Sequence, residues 1–159
     1  MSPTGLPMEN RDLLKRVAWQ EGMSLFGVAD LEAFARDTHK FESHYLCTLV
    51  GPYPERKDLY FARSPVNFPE NLRCPLILFQ GDEDKIVPPA QSQMMFDAVR
   101  AKGLPTAYIL FHGEQHGFRK TESLRRSYEA ELYFYSKVFK FDLSEAIEPV
   151  EIENLPAGG

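Results

Sequence analysis

Three short apolar runs, each followed by a stretch of helical composition, constrain the fold of this chain more than any other feature. The runs occupy residues 22–28, 75–80 and 105–112, and turn-forming residues flank them. Apolar runs of this length are typical of strands that are buried in a sheet. Strands that alternate with helices join through right-handed crossovers. The sequence therefore predicts an α/β fold with a parallel sheet.

The first half of the chain is predicted to contain a leader, one long helix and a loop. Residues 1–16 combine turn-forming residues with a small apolar cluster, which indicates a flexible leader or a short helix. Asp30 is a candidate N-cap for a helix that extends to about Leu49. The sequence GPYP at 51–54 ends that helix, and residues 55–74 are predicted to form a loop with one short helical turn.

Two further helices are predicted in the second half. Pro88 and Pro89 open the first of them, and Gly103 ends it. Thr121 is expected to cap the second. The predicted apolar face of this last helix consists of Leu124, Tyr128, Leu132, Tyr135 and Phe139. Residues 142–159 are acidic and are predicted to be a loosely held tail.

Composition limits the partners that the chain is expected to have. Its 18 Lys and Arg residues are outnumbered by 23 Asp and Glu, without a basic stripe, so nucleic acid is not an expected partner. Cys47 and Cys74 lack a CxxC or zinc-ligand spacing, which favours reduced thiols. Neither a phosphate-binding glycine loop nor a metal cluster is present, so no cofactor is expected. No apolar stretch could span a bilayer or act as a secretory signal, which predicts a cytoplasmic location and no membrane association.

Two segments place reactive side chains just beyond the carboxyl ends of predicted strands. The segment QGDEDKIVPP holds three consecutive acids, and the segment HGEQHGF holds His112 and His116. Taken alone, the acids could form a solvated turn that caps a helix, and a loop histidine could be structural. The HxxxH spacing is an alternative metal motif, but its glycines disfavour a helix that presents both rings. An acid after one strand and a histidine after the next is the order found in α/β-hydrolases.

The spacing of these residues resembles that of a known peptidase family. The pattern GxxDxxVP at 81–88, followed 32 positions after its acid by the tripeptide HGF, is similar to the end of prolyl oligopeptidase family sequences. The segments SLFGVADLEAFARDTHKFESHYL and EAELYFYSKVF also resemble that family, particularly its dipeptidyl and acylaminoacyl peptidase-like branches. Together these segments cover residues 17–141, which would form the C-terminal part of a peptidase catalytic domain.

The resemblance implies both a fold and two site residues. The fold would be the C-terminal half of an α/β-hydrolase domain, with three α-β-α layers and a mostly parallel sheet. Asp84 matches the family's triad acid and His116 its general base, whereas Asp82 and Glu83 match neither. The imidazole would take the serine proton and return it to the leaving group, while the carboxylate fixes the tautomer. The substrates would be peptides or acyl-peptides.

The family's serine nucleophile is missing from this sequence. No GxSxG motif occurs, so the sheet is expected to be incomplete on the nucleophile side and the isolated chain to be inactive. The serines that match no such motif include Ser2, Ser24, Ser43, Ser64 and Ser92. The strand at 22–28 would then expose an apolar edge, which favours self-association or binding of a complementary N-terminal fragment.

Three functions remain open from the sequence. The chain could supply the acid and base of a serine peptidase, it could be a noncatalytic truncated product or an interaction module that binds through its sheet edge, or it could be part of an esterase-type hydrolase. A complementary polypeptide with a GxSxG motif would favour the first function. Activity unchanged by His116→Ala would eliminate a triad mechanism.

Overall fold

The computed structural model describes residues 21–37 and 45–156, and its centre is a sheet of three strands. The strands are β1 (Gly22–Leu25), β2 (Leu76–Gly81) and β3 (Thr106–Phe111), and they lie side by side in that order. Both pairs of neighbours run parallel. The predicted α/β fold with a parallel sheet is therefore confirmed. The predictions for residues 1–20 lie outside the described residues.

Five α-helices lie in the described part of the chain. They are α1 (Leu31–Asp37), α2 (Tyr45–Leu49), α3 (Lys57–Arg63), α4 (Pro89–Ala101) and α5 (Thr121–Phe139). The N-cap predicted for α1 is confirmed, because Asp30 Oδ1 accepts hydrogen bonds from the backbone N–H groups of Glu32 (2.8 Å) and Ala33 (3.1 Å). The single long helix predicted to follow Asp30 corresponds to α1 and α2 at its two ends, and residues 38–44 lie outside the described residues.

The segment 55–74 contains more helix than the single turn predicted for it. Helix α3 is followed by two short 3-10 helices, Pro65–Asn67 and Pro69–Asn71, each of which begins with a proline. Tyr60 anchors α3, since its side chain is fully buried and its hydroxyl donates to the carbonyl oxygen of Gly51 at 2.8 Å. The buried aromatic ring thus stabilises a helix in a segment that its prolines and charges had marked as a loop.

The sheet lies between two layers of helix. Gln80 and Tyr108 face α4, where Gln80 Oε1 accepts a hydrogen bond of 2.8 Å from Ser92 and the Tyr108 ring lies 5.9 Å from that of Phe96. Helix α5 covers the opposite face. The core on that face comprises Ile77, Phe79, Ala107, Phe111, Ala130, Phe134 and Val150. This arrangement agrees with the predicted α-β-α layers.

The apolar face predicted for α5 is not the face that packs on the sheet. Tyr128 is 69% exposed, and Leu124, Leu132 and Phe139 are also exposed. The buried residues of the helix are Ser123, Ser127, Ala130, Phe134 and Ser136. Small side chains let the helix backbone approach the sheet closely, and Phe134 fills the space that remains. The prediction followed the larger side chains and was therefore wrong for four of its five residues. The fifth, Tyr135, is partly buried and packs against the core.

The C-terminal segment is packed against the sheet rather than loosely held as predicted. Thr106 at the start of β3 exchanges two backbone hydrogen bonds with Glu153, of 3.1 and 2.8 Å. Val150 is buried in the core beneath α5. The guanidinium of Arg126 on α5 also donates to the carbonyl oxygen of Glu148 at 2.7 Å. These contacts cover the start of the outer edge of β3.

Two further observations concern the cysteines and the helices of the described residues. Cys47 and Cys74 are not joined in a disulfide. Among residues 21–37 and 45–156, none of the helices combines the length and apolar character needed to cross a bilayer.

Candidate active site

Two neighbouring strands bring the predicted acid and histidine together. Asp84 lies in the loop that follows β2, and His116 lies in the loop that follows β3. Because the carboxyl ends of parallel strands meet at one edge of a sheet, these loops are adjacent. His116 Nδ1 lies 2.9 Å from Asp84 Oδ2, which is hydrogen-bonding distance. The two residues selected from the sequence thus form a pair.

The carboxylate of Asp84 is buried and held by its own loop. Its side chain is 0% exposed. Oδ1 accepts hydrogen bonds of 2.9 Å from the backbone N–H groups of Ile86 and Val87, while Oδ2 accepts one of 2.8 Å from Gln80 Nε2 in addition to the contact with His116. With these contacts on both oxygens, the carboxylate cannot rotate away from the imidazole without losing several hydrogen bonds.

Gln80, which supports this carboxylate, was not singled out from the sequence. Its fully buried amide also donates to the carbonyl oxygen of Val87 at 3.0 Å and accepts from Ser92 on α4. A buried amide requires such partners. The signal available in the sequence was a polar residue within the apolar run of a buried strand, four positions before the acid.

The second ring nitrogen of His116, Nε2, is not used in the contact with Asp84. A hydrogen bond from Nδ1 to Asp84 places the proton of the neutral ring on Nδ1, so Nε2 carries the free lone pair. The side chain is 37% exposed and borders a cavity of about 610 Å³. Phe26 packs against the ring at a centroid distance of 5.1 Å. β1 ends at Leu25, earlier than predicted, and the next residue, Phe26, has a φ of 52° that turns the chain there.

Glu114 fixes the far side of the histidine loop. Its side chain is buried, and its two oxygens accept hydrogen bonds of 2.9 Å from the backbone N–H groups of Arg119 and Lys120. Burial raises the pKa of this carboxyl, but these bonds and one from Ser123 lower it, with a net pKa below the usual range. Glu114 therefore satisfies backbone donors at the start of α5, where Thr121 had been expected to act as the cap.

The loops that carry Asp84 and His116 touch each other directly. A Cβ atom added to Gly81 would lie only 2.4 Å from the carbonyl oxygen of Glu114, so the close approach of the loops requires glycine at this position. The backbone N–H of Glu83 also donates to that carbonyl oxygen at 3.0 Å. Glu83 thus contributes through its main chain to the joining of the loops.

Asp82 and His112 form a second pair, separate from the first. His112 Nδ1 lies 2.9 Å from Asp82 Oδ2, and the hydrogen bond from this ring, followed by one from the backbone N–H of Gly113, holds the pKa of Asp82 below its usual range. The histidines of the HxxxH motif therefore turn towards different acids. In the described ranges, no group of three or more His, Cys, Asp or Glu side chains could hold a metal ion.

Solved peptidase structures share this fold. The chain superposes on a puromycin-hydrolyzing peptidase from Mycobacterium tuberculosis with a TM-score of 0.80 and 41% sequence identity, over 87% of this chain and 21% of that one. It superposes on an acylaminoacyl peptidase from Pyrococcus horikoshii with a TM-score of 0.72 and 19% identity, over 84% of this chain and 22% of that one. The second similarity shows the fold alone.

Sequence comparison points to the same family. The chain is 38% identical to dipeptidyl aminopeptidase BIII of Pseudoxanthomonas mexicana over 61 residues, which are 38% of this chain and 9% of that enzyme. It thus spans a small part of the relatives it matches. The sequence model of the prolyl oligopeptidase family matches residues 15–142, well over half of the chain. The chain belongs to the prolyl oligopeptidase family.

Proposed function

We propose that the chain supplies the acid and the general base of a serine peptidase active site that hydrolyses peptide or acyl-peptide bonds. Asp84 is the acid and His116 the base. The observation that carries this proposal is the 2.9 Å contact between His116 Nδ1 and a fully buried, multiply hydrogen-bonded Asp84 carboxylate. Such an orientation of the imidazole is the one that general-base catalysis by histidine needs.

The geometry defines the proton transfers of the proposed reaction. His116 Nε2 takes the hydroxyl proton of a serine as its oxygen attacks the substrate carbonyl. The resulting imidazolium is stabilised by Asp84, which keeps its negative charge. The imidazolium then returns the proton to the leaving amine when the tetrahedral intermediate collapses, which gives an acyl-enzyme. In the second half of the reaction, His116 takes a proton from water as the water attacks the acyl-enzyme. It then returns the proton to the serine oxygen as the carboxylic acid product leaves.

The serine in this reaction comes from polypeptide outside these 159 residues. The sequence has no GxSxG motif, and within the described residues no serine makes a hydrogen bond to His116. The oxyanion donors that accompany such a serine are also required for charge stabilisation. We therefore expect the isolated chain to be inactive. The same residues could serve an esterase, but membership of a peptidase family favours amide bonds.

The edge of β1 is the proposed binding site for the serine-bearing strand. β1 is the first strand of the sheet, and its outer edge has no strand partner among residues 21–37 and 45–156. Met23 and Leu25 are 38% and 44% exposed there. They line an apolar groove together with Phe118, Leu124 and Tyr128. A strand added at this edge would extend the parallel sheet and cover the groove.

A chimeric enzyme tests the proposed function. Residues 21–156 would replace the matching segment of the puromycin-hydrolyzing peptidase, whose own serine would remain in place. We expect the chimera to hydrolyse puromycin, and Asp84→Asn or His116→Ala to reduce kcat by about 10⁴-fold or more. The isolated 159-residue chain should show no hydrolysis. Asp97→Asn, which removes an exposed carboxylate paired with Arg100, is the matched control.

Three results would contradict the proposal. The first is an active chimera in which His116→Ala retains the full rate, since a triad mechanism would then be excluded. The second is hydrolysis by the isolated chain that depends on His116, since a nucleophile would then lie within these residues. A chimera with no activity also contradicts it when its circular dichroism and elution volume match those of the parent enzyme.

A further inference from the structure

A second acid–imidazole pair joins the same two loops as the first. His112 Nδ1 lies 2.9 Å from Asp82 Oδ2. Asp82 directly follows β2 and lies two positions before Asp84, while His112 directly follows β3 and lies four positions before His116. The two pairs therefore bridge the same gap between β2 and β3, one behind the other along the loops.

The contacts of Asp82 are directed at the start of the loop that carries His116. Besides the imidazole of His112, its carboxylate binds the backbone N–H of Gly113 at 2.8 Å, and its own N–H donates to the carbonyl oxygen of Phe111 at 3.1 Å. Gly113 has a φ of 68°, so the chain turns here through a conformation that glycine favours. Asp82 thus fixes the point at which the loop leaves β3.

The exposure of the two pairs separates their roles. The His112 side chain is 88% exposed, whereas the Asp84 carboxylate is 0% exposed. The other charged groups on the same loops are those of Glu83, Lys85, Glu114, Arg119 and Lys120. The ammonium group of Lys120 donates to the carbonyl oxygen of His112 at 2.6 Å. The Asp82 carboxylate, whose pKa is lowered, remains charged at neutral pH and able to accept both of its hydrogen bonds.

We propose that Asp82 and His112 are positioning residues that keep the loop of His116 aligned with the loop of Asp84, an inference that rests on the proposed catalytic role of the latter pair. Asp82 and Asp84 belong to one loop, and His112 and His116 belong to the other. The bridge between Asp82 and His112 therefore restrains the positions of Asp84 and His116. A displacement of about 1 Å at such a site costs a large part of the rate.

Side-chain nitrogen spectroscopy of the whole 159-residue chain tests this inference. Long-range 1H–15N correlation spectra report which ring nitrogen of each neutral histidine carries the proton. In the wild type, we expect His116 to hold its proton on Nδ1. In Asp82→Asn and in His112→Ala, the ratio of the Nδ1–H to the Nε2–H form of His116 should fall by about two- to five-fold, the range expected for loss of an exposed pair.

Two further variants make the comparison specific. His112→Asn keeps an N–H donor near the position of Nδ1 and should restore most of the wild-type ratio. Such a recovery relative to His112→Ala would assign the effect to the hydrogen bond rather than to side-chain volume. Asp97→Asn removes an exposed carboxylate from α4 and should leave the ratio unchanged. Backbone 1H–15N spectra establish that each variant is folded. If Asp82→Asn is unfolded, the result for His112→Ala alone tests the inference, because the exposed ring of His112 contributes little to the core and its loss should leave the chain folded.

The inference is overturned if His116 keeps the wild-type ratio in folded Asp82→Asn and His112→Ala while the signals of the second pair change. This result is independent of the chimera experiment, which measures whether Asp84 and His116 are needed for hydrolysis. If the tautomer ratio of His116 changes in both variants but the chimera is indifferent to His116→Ala, the coupling between the two pairs stands and loses its catalytic meaning. If the tautomer ratio of His116 does not change in the variants but the chimera depends on His116, only the positioning role is refuted.

Discussion

Three carboxylates organise the two loops, and they differ in how their charge is balanced. Asp84 and Glu114 are buried, and each accepts two hydrogen bonds from backbone N–H groups near it in sequence. Asp82 is partly exposed and binds an imidazole and one backbone N–H. A buried carboxylate is destabilising unless donors surround it. The hydrogen bonds to each carboxylate and the conformation of its loop therefore support each other.

Acid should weaken the fold in part through Asp82. The pKa of this carboxyl lies below its usual range because of the hydrogen bond from His112 and then that from Gly113. The unfolded chain therefore takes up the proton at higher pH than the folded chain does. The stability from Asp82 is present above the unfolded pKa, about 3.9, and is lost as pH falls through the lower folded pKa.

Thermal unfolding of Asp82→Asn and of the wild type between about pH 6 and pH 2.5 measures this effect. At pH 6 the unfolding temperature of the variant should be lower than that of the wild type, because the variant lacks the hydrogen bonds of the carboxylate. Its unfolding temperature should then fall less than that of the wild type as the pH drops below about 4. Parallel curves for the two proteins over this range would show that Asp82 is not linked to the fold through its proton.

At the scale of single elements, α5 shows that side-chain size is a poor guide to the buried face. The residues with the largest apolar side chains at helical spacing predicted a face that the structure exposes, with Tyr128 at 69%. The face that packs on the sheet has Ser and Ala at most positions and Phe134 at its centre. The exposed apolar side chains of α5 border the groove beside β1. The periodicity of the helix was thus predictable, but not its orientation.

A comparison of two truncations on α5 tests this orientation. Phe134→Ala should lower the free energy of unfolding by about 3–5 kcal/mol, because the fully buried ring leaves a cavity between the helix and the sheet. Leu132→Ala should lower it by less than about 1 kcal/mol, because its side chain is 45% exposed. Urea unfolding followed by circular dichroism gives both values. Equal losses would mean that the helix is rotated from the described position.

Local signals predicted the elements whose causes are local. The side chain of Asp30 caps α1 through donors two and three residues away, and glycine at position 103 adopts the φ of 75° that a helix end favours. The early end of β1 at Phe26 was not predictable, since that ring packs against His116, 90 positions away. Helix α3 likewise depends on Tyr60 and its distant surroundings. Predictions failed where contacts distant in sequence decide the structure.

The same distinction holds for the candidate site in the whole molecule. The order of strand, acid, strand and histidine predicted that an acid and a histidine would meet, because parallel strands place both loops at one edge. The resemblance to the prolyl oligopeptidase family then identified them as Asp84 and His116. Gln80 and Glu114 were missed because their roles depend on burial and on backbone donors of folded loops. The pair of Asp82 and His112 lies in the same segments. The geometry selected this pair among several acids and histidines that the sequence left unassigned.

The two edges of the sheet differ in a way that affects the whole molecule. The start of the β3 edge is covered by the C-terminal segment through the bonds between Thr106 and Glu153. The β1 edge has no such cover among the described residues, and Met23 and Leu25 are exposed beside it. An apolar strand edge of this kind is a site for pairing with another strand. We expect a second copy of the chain to supply that strand when no other partner is present.

Sedimentation velocity over a range of concentrations measures this pairing. We expect the isolated chain to associate as concentration rises, and Leu25→Lys to shift the distribution towards monomer, because a charge beside the edge opposes burial against a second copy. Leu49→Lys, which changes a side chain of similar exposure on α2, is the control and should associate like the wild type. A wild-type chain that stays monomeric at high concentration would show that the edge does not bind a second copy. If Leu25→Lys and Leu49→Lys shift the distribution towards monomer to the same extent, the association does not depend on the β1 edge in particular.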